Sequence, residues 1–197
     1  MDELIFKAKK HEYVLNGKKI PSVSDKIKFL SNMVYGEVDP IALEIAAEKG
    51  TMVHEYTVKL EKEKTVECPS SIAGYITGFS KFLSSNDTST TFSEKAFAYK
   101  EEFAGTIDRY MKLDGKDTLL DIKTNSKLTN KNLVVYEAQL NLYRMMLEDN
   151  GYNVEQMYIL HLMKDGEYKL YEIPIDNTLA DMCLYINRRM NERKRRK

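Results

Sequence analysis

Asp108, Asp121 and Lys123 are the residues of this chain whose types and spacing could do chemistry. They fall in AGTIDRYMKLDGKDTLLDIKT, a stretch that alternates, turns at Asp114-Gly115 and alternates again. An Asp-Gly pair between alternating apolar residues specifies a two-residue type I′ hairpin turn. That turn sets Leu113 opposite Lys116 and, stepping back along both strands, Asp108 opposite Asp121. Their β-carbons would then lie roughly 4.5–5.5 Å apart on one sheet face. Lys123 shares that face, because strand side chains alternate. A three-residue loop would slip the register by one and carry one aspartate to the other face. Opposed carboxylates repel, and burial adds a desolvation cost. Three arrangements relieve this: one carboxylate takes up a proton, Lys123 neutralises part of the charge, or a divalent cation binds between them. Two carboxylates are usual ligands for Mg²⁺. A reading without any site also stands: Asp108 pairs with Arg109 or Lys112 on an exposed face.

The flanking pattern supplies elements to hold these groups. Asn16-Gly17 between YVL and KKI predicts a small N-terminal hairpin. Ser22 or Ser24 can cap a helix through DKIKFLSNMVY, and Asp39-Pro40 opens a longer helix to about residue 64. CPSSIAGYITGFSKFLSS predicts a third helix, followed by a polar NDTST loop. From about 91 to 123 the period becomes strand-like. A helix is expected over about 133–149, then two strands around the KDGE turn, then a closing helix over 178–194 capped by Asp176 or Asn177. The expected architecture is a single α/β domain over 1–197: an N-terminal helical segment, a central mixed β-sheet and flanking helices.

Composition narrows the function classes. With 197 residues, 43% hydrophobic and 30% charged, the chain reads as a globular domain with a real core. No apolar run is long enough to span a bilayer, and MDELIFKAKK lacks a signal-peptide layout, so a cytoplasmic protein without membrane attachment is expected. Cys68 and Cys183 are the only cysteines, which excludes a four-cysteine zinc or iron–sulfur site made by this chain alone. Net charge is zero, yet residues 188–197 hold seven Lys/Arg against one Glu. Such a basic end is either a solvated helix terminus or a nucleic-acid contact.

GTID, then DIK thirteen residues on from Asp108, resembles the signature of the PD-(D/E)XK nuclease superfamily, and within it the RecB-like nucleases and the phage or CRISPR-associated exonucleases. GTMVHEY sets His54 on an upstream helix, similar to the histidine motif of that group. QLNLY sets Gln139 and Tyr143 on the helix after DIK, similar to its Gln-x-x-x-Tyr motif. The resemblance runs over about residues 21–160 and implies a restriction-endonuclease-like core. It implies a divalent metal, Mg²⁺ or Mn²⁺, on His54, Asp108, Asp121 and the backbone carbonyl of Ile122. An imidazole nitrogen among the oxygens makes Mn²⁺ more competitive. Some relatives carry an iron–sulfur cluster, and this chain resembles the cluster-free type. Lys123 would orient water, neutralise phosphate charge, or accept a proton if its pKa is lowered. Gln139 and Tyr143 would approach the substrate from one helix face.

Each of these residues also has a plainer reading: His54 as a helix-face histidine bonded to the backbone, Lys123 as a salt bridge to Asp121, Tyr143 as packing. Tyr136, on the same helix face, is expected to be structural. Gly105 leaves room for a close approach to its strand. Glu94 is read as a solvated strand position, with a second-metal ligand as the alternative. The implied activity is metal-dependent hydrolysis of DNA, by an exonuclease in recombination, repair or phage DNA processing. The alternative is a non-catalytic nucleic-acid-binding subunit; a phosphohydrolase of small substrates is a third class. The implied partner is a DNA end, single- or double-stranded, with an oligomer or a recombination partner protein left open. Lys127, Lys131, Arg144 and the basic C-terminus are candidate phosphate contacts.

Overall fold

The computed structural model describes residues 3–7, 10–37 and 39–195, without the side chains of 194 and 195. Residues 196 and 197 of the basic end lie outside the described residues. The order is β1 (Leu4–Lys7), β2 (Glu12–Leu15), β3 (Lys18–Ile20), α1 (Val23–Tyr35), α2 (Pro40–Glu63), α3 (Ala73–Ser85), β4 (Thr88–Tyr99), β5 (Phe103–Leu113), β6 (Lys116–Lys123), α4 (Asn130–Asp149), β7 (Gln156–Leu162), β8 (Tyr168–Ile173) and α5 (Thr178–Arg195). Strands β1-β2-β3 form one antiparallel sheet. Strands β4 to β8 form a second in sequence order, antiparallel except where β6 and β7 run parallel around the crossover helix α4. The molecule is thus α/β with a mixed central sheet flanked by helices. Three strands precede the N-terminal helices, and β1 had no turn signal to announce it.

The central sheet is covered on both faces, which is why β6 reads TLLDIK with little polar interruption. Ile107, Leu119 and Ile159 pack towards α1, α4 and α5, together with Leu140 and Met146. Met111, Leu120, Ile122 and Leu160 pack the other way, against Val53, Phe79 and Phe82 of α2 and α3. Helix starts follow their caps. Ser22 and Asp25 form a capping box on α1, Asp39 accepts from Ile41 N–H on α2, and Thr129 with Asn132 starts α4 three residues earlier than its apolar pattern suggests. Helix α3 begins only at Ala73, after a turn closed by Ile72 N–H to the Pro69 carbonyl. The polar NDTST segment is half strand, since Thr88 already pairs with Leu113.

Candidate metal centre

The β5–β6 hairpin has the register that the Asp-Gly turn demands. Asp114 and Gly115 both take positive φ, at 51° and 80°, and the ladder runs from Leu113–Lys116 to Arg109–Leu120. The regular ladder stops one pair before the aspartates. There the Asp108 carboxylate replaces a backbone acceptor: its Oδ2 takes the Ile122 N–H at 2.8 Å. The Ile122 side chain packs into the opposite, apolar face. Asp121 is 2% exposed, and its Oδ2 lies 2.6 Å from Lys123 Nζ. Both alternatives for Asp108 fail: Lys112 pairs with Asp117, and the Arg109 guanidinium reaches only the Asp108 backbone carbonyl.

Helix α2 brings His54 to this point. Its Nδ1 lies 2.9 Å from Glu94 Oε1 and 3.6 Å from Asp108 Oδ1. One ligand atom each of His54, Glu94 and Asp108 can be chosen so that all lie within 4.8 Å of one another. Glu94 is an exposed strand residue, as expected, and its carboxylate also turns to His54. The β4–β5 ladder skips it between Ser93–Arg109 and Lys95–Ile107, and its backbone is left-handed at φ 50°. That local break turns its carboxylate to His54. No glycine marks the break, so nothing local announces it beyond Glu94's place on the preceding strand.

Arg109 is the other residue that sequence reasoning missed. It is fully buried, with Nη2 donating to Thr57 Oγ1 at 2.7 Å and Nη1 to the Asp108 carbonyl at 2.6 Å. Its Nε lies 2.9 Å from Glu61 Oε2, and Nη1 lies 3.4 Å from Glu94 Oε1. Thr57 in turn donates to the His54 carbonyl at 2.8 Å. One guanidinium thus ties α2, β4 and β5 together directly behind the cluster.

The electrostatics follow from this crowding. Burial works against a charged His54, but the charges of Asp108 and Glu94 outweigh it and raise its pKa to about 9. Burial and the neighbouring Asp108 charge push Asp121 up to about 6, against the opposing pull of Lys123. Burial also opposes charge on Lys123, yet Asp121 and Asp108 hold its pKa above the usual lysine range. Lys123 is thus held as the protonated partner of Asp121. Its Nζ also sits 4.9 Å from the centroid of the Tyr136 ring, which gives Tyr136 a place in the site as well as in the packing.

Gln139 Nε2 donates to Tyr143 Oη at 3.0 Å. The Tyr143 ring fills the space beside Gly105, where a β-carbon would come within 2.6 Å of its Cε1. So the approach that Gly105 permits is that of α4, and Tyr143 both packs and faces the site. Tyr13, Gly50, His54, Glu94, Asp108 and Tyr143 wall a cavity of about 580 Å³. Arg144 is not a surface cation: it is mostly buried, held by Glu148 and by Asn177 Oδ1 at 2.6 Å. Arg188 and Arg189 pair with Glu102 and Glu192, whereas Lys127 and Lys131 are exposed.

The donor set suits a divalent cation. It joins an imidazole nitrogen to two carboxylates, with a third, Asp121, raised in pKa beside them. No family model matches this sequence, and no curated protein matches it. Among solved structures, one titled "Crystal structure of SSO0001" aligns over 82% of this chain and 84% of that chain, at 18% identity and a TM-score of 0.35. That likeness is too slight to carry an argument. No described helix is long and apolar enough to cross a membrane.

Proposed function

We propose that this protein is a divalent-metal-dependent nuclease that hydrolyses DNA phosphodiester bonds, with exonuclease action on strand ends. The observation that carries the reading is the convergence of His54, Glu94 and Asp108 within 4.8 Å, with the Asp121–Lys123 ion pair alongside. His54, Glu94, Asp108 and Asp121 would hold Mg²⁺ or Mn²⁺, with the Ile122 carbonyl as a ligand that the family resemblance adds. A divalent cation supplies Lewis acidity at such a site, activating water and offsetting the charge that develops on a phosphate. Lys123, held protonated, adds a second positive charge on the substrate side. Tyr143 accepts from Gln139, so its own proton remains available to a phosphate oxygen. Arg109 and Thr57 fix the positions of Asp108 and His54 and touch no substrate.

The test is incubation with labelled linear single- and double-stranded DNA in Mg²⁺, Mn²⁺ or EDTA, beside Asp121→Ala and Lys123→Ala. Cleavage that needs the metal and is lost in both variants supports the reading. Cleavage in EDTA, or full activity in both variants, overturns it. Tight DNA binding without cleavage in any metal would make the protein a binding subunit instead.

A further inference from the structure

On the far side of His54 a second cavity, of about 250 Å³, opens between α2, α4 and the segment after β6. His54 and Gly50 belong to the walls of both cavities. This one is lined by two lysines, Lys49 and Lys123, and by no carboxylate. Lys123 is neutralised by Asp121. Lys49 is not. Its Nζ donates to the Thr124 carbonyl at 3.2 Å and to Tyr75 Oη at 3.4 Å, and it forms no ion pair among the described residues. A half-buried ammonium held only by neutral oxygens keeps most of its attraction for an incoming anion.

Asn125 forms part of the same wall. Its Nδ2 donates to the Lys127 carbonyl at 2.7 Å, and its own carbonyl accepts from His161 Nε2 at 2.7 Å. Those bonds hold the wall in place around the lysine. The ligand that suits this cavity carries an anion for Lys49, and a nucleotide supplies one as its phosphate.

We propose that this cavity is a phosphate subsite for the nucleotide next to the cleaved bond, with Lys49 as its cation. The assignment rests on the nuclease reading and adds a binding residue that the motif residues do not include. The test measures binding of a labelled single-stranded oligodeoxynucleotide in EDTA over a range of salt, for wild type, Lys49→Gln and Lys49→Arg. Lys49→Gln should bind about 5–10-fold more weakly at low salt, with the slope of log affinity against log salt shallower by about 0.7. Lys49→Arg should restore both.

A second measurement needs no variant. One neutral methylphosphonate linkage, moved along the oligonucleotide, should weaken wild-type binding by the same factor at a single position, where Lys49→Gln is indifferent to it. Unchanged affinity and slope in Lys49→Gln, failure of Lys49→Arg to rescue, or no sensitive position for the methylphosphonate would each overturn the subsite. If wild type still cleaves DNA in Mn²⁺ after such a result, only the subsite falls. If wild type neither binds nor cleaves DNA, the nuclease reading falls and takes the subsite with it.

Discussion

Arg109 and Lys123 are two cations on adjacent strands, and their surroundings differ in kind. Arg109 is fully buried, and its guanidinium meets Thr57, Glu61, Glu94 and the Asp108 carbonyl. The arrangement is enclosed: Nη1 and Nη2 donate hydrogen bonds, and Nε lies 2.9 Å from Glu61 without hydrogen-bond geometry. Lys123 is 22% exposed at its side chain, borders a cavity, and faces one carboxylate whose own pKa is raised. A cation enclosed by several oxygens builds a scaffold, whereas a buried carboxylate with too little compensation keeps a capacity to bind a further cation. The same strand pair holds both, and alternation sends Arg109 towards α2 and α3 and Lys123 towards α4.

The sharpest way to break this contrast is to remove each cation in turn. Lys123→Met should lower cleavage by about 10²–10³-fold while sparing the fold, because Asp121 can take up a proton in place of its partner. Arg109→Met should cost about 3–5 kcal/mol of stability in urea unfolding, because it strands Glu61 and Thr57. If the two variants unfold alike, the distinction between scaffold and site collapses.

Metal sharpens the contrast further. Saturating Mn²⁺ at about a hundred times its dissociation constant should stabilise wild type by about 2.7 kcal/mol at pH 8. The gain should shrink near pH 5.5, where protons compete for Asp121 and His54, and vanish in Asp108→Asn. Calorimetric melting at both pH values tests this. In EDTA the sign is fixed by two raised pKa values. The stability contributed by Asp121 is present below about 3.8, its ordinary value, and is lost as pH rises through about 6. That of His54 is present below 6.5 and lost through about 9. Metal-free protein should therefore lose on the order of 4 kcal/mol between pH 5 and 9. Asp121→Asn should flatten the lower part of that decline and His54→Gln the upper. A stability that rises with pH over this window would contradict the assigned crowding.

A smaller effect belongs to packing. Gly105→Ala sets a methyl group against the Tyr143 ring and should cost about 1–3 kcal/mol, less than additively with Tyr143→Val. Tyr143→Phe removes only the Gln139 hydrogen bond and should cost about 0.5–1.5 kcal/mol by urea titration.

The hairpin register was legible because Asp114-Gly115 admits few turn geometries, and the caps at Ser22 and Asp39 were legible for the same local reason. Glu94 was not, because its reach depends on a left-handed residue and a skipped rung that no glycine announces. Arg109 was hidden by its type: an arginine beside an aspartate on a strand reads as a surface ion pair, and only the docking of α2 shows it buried. Arg144 misled in the same way. Lys49 carried no signal at all, since its meaning depends on the carboxylates that are missing around it.

The tight Asp-Gly turn has a consequence for the order of folding. Asp108 and Asp121 are brought together by a local hairpin, a microsecond event, whereas His54 arrives from a helix far upstream and must wait for tertiary docking. The two carboxylates therefore meet before their histidine and Glu94 are in place. Refolding should then be slowed by the unrelieved pair at pH 8 and quickened by millimolar Mg²⁺ added at the start, so that the ion would take part in building the domain as well as in its chemistry.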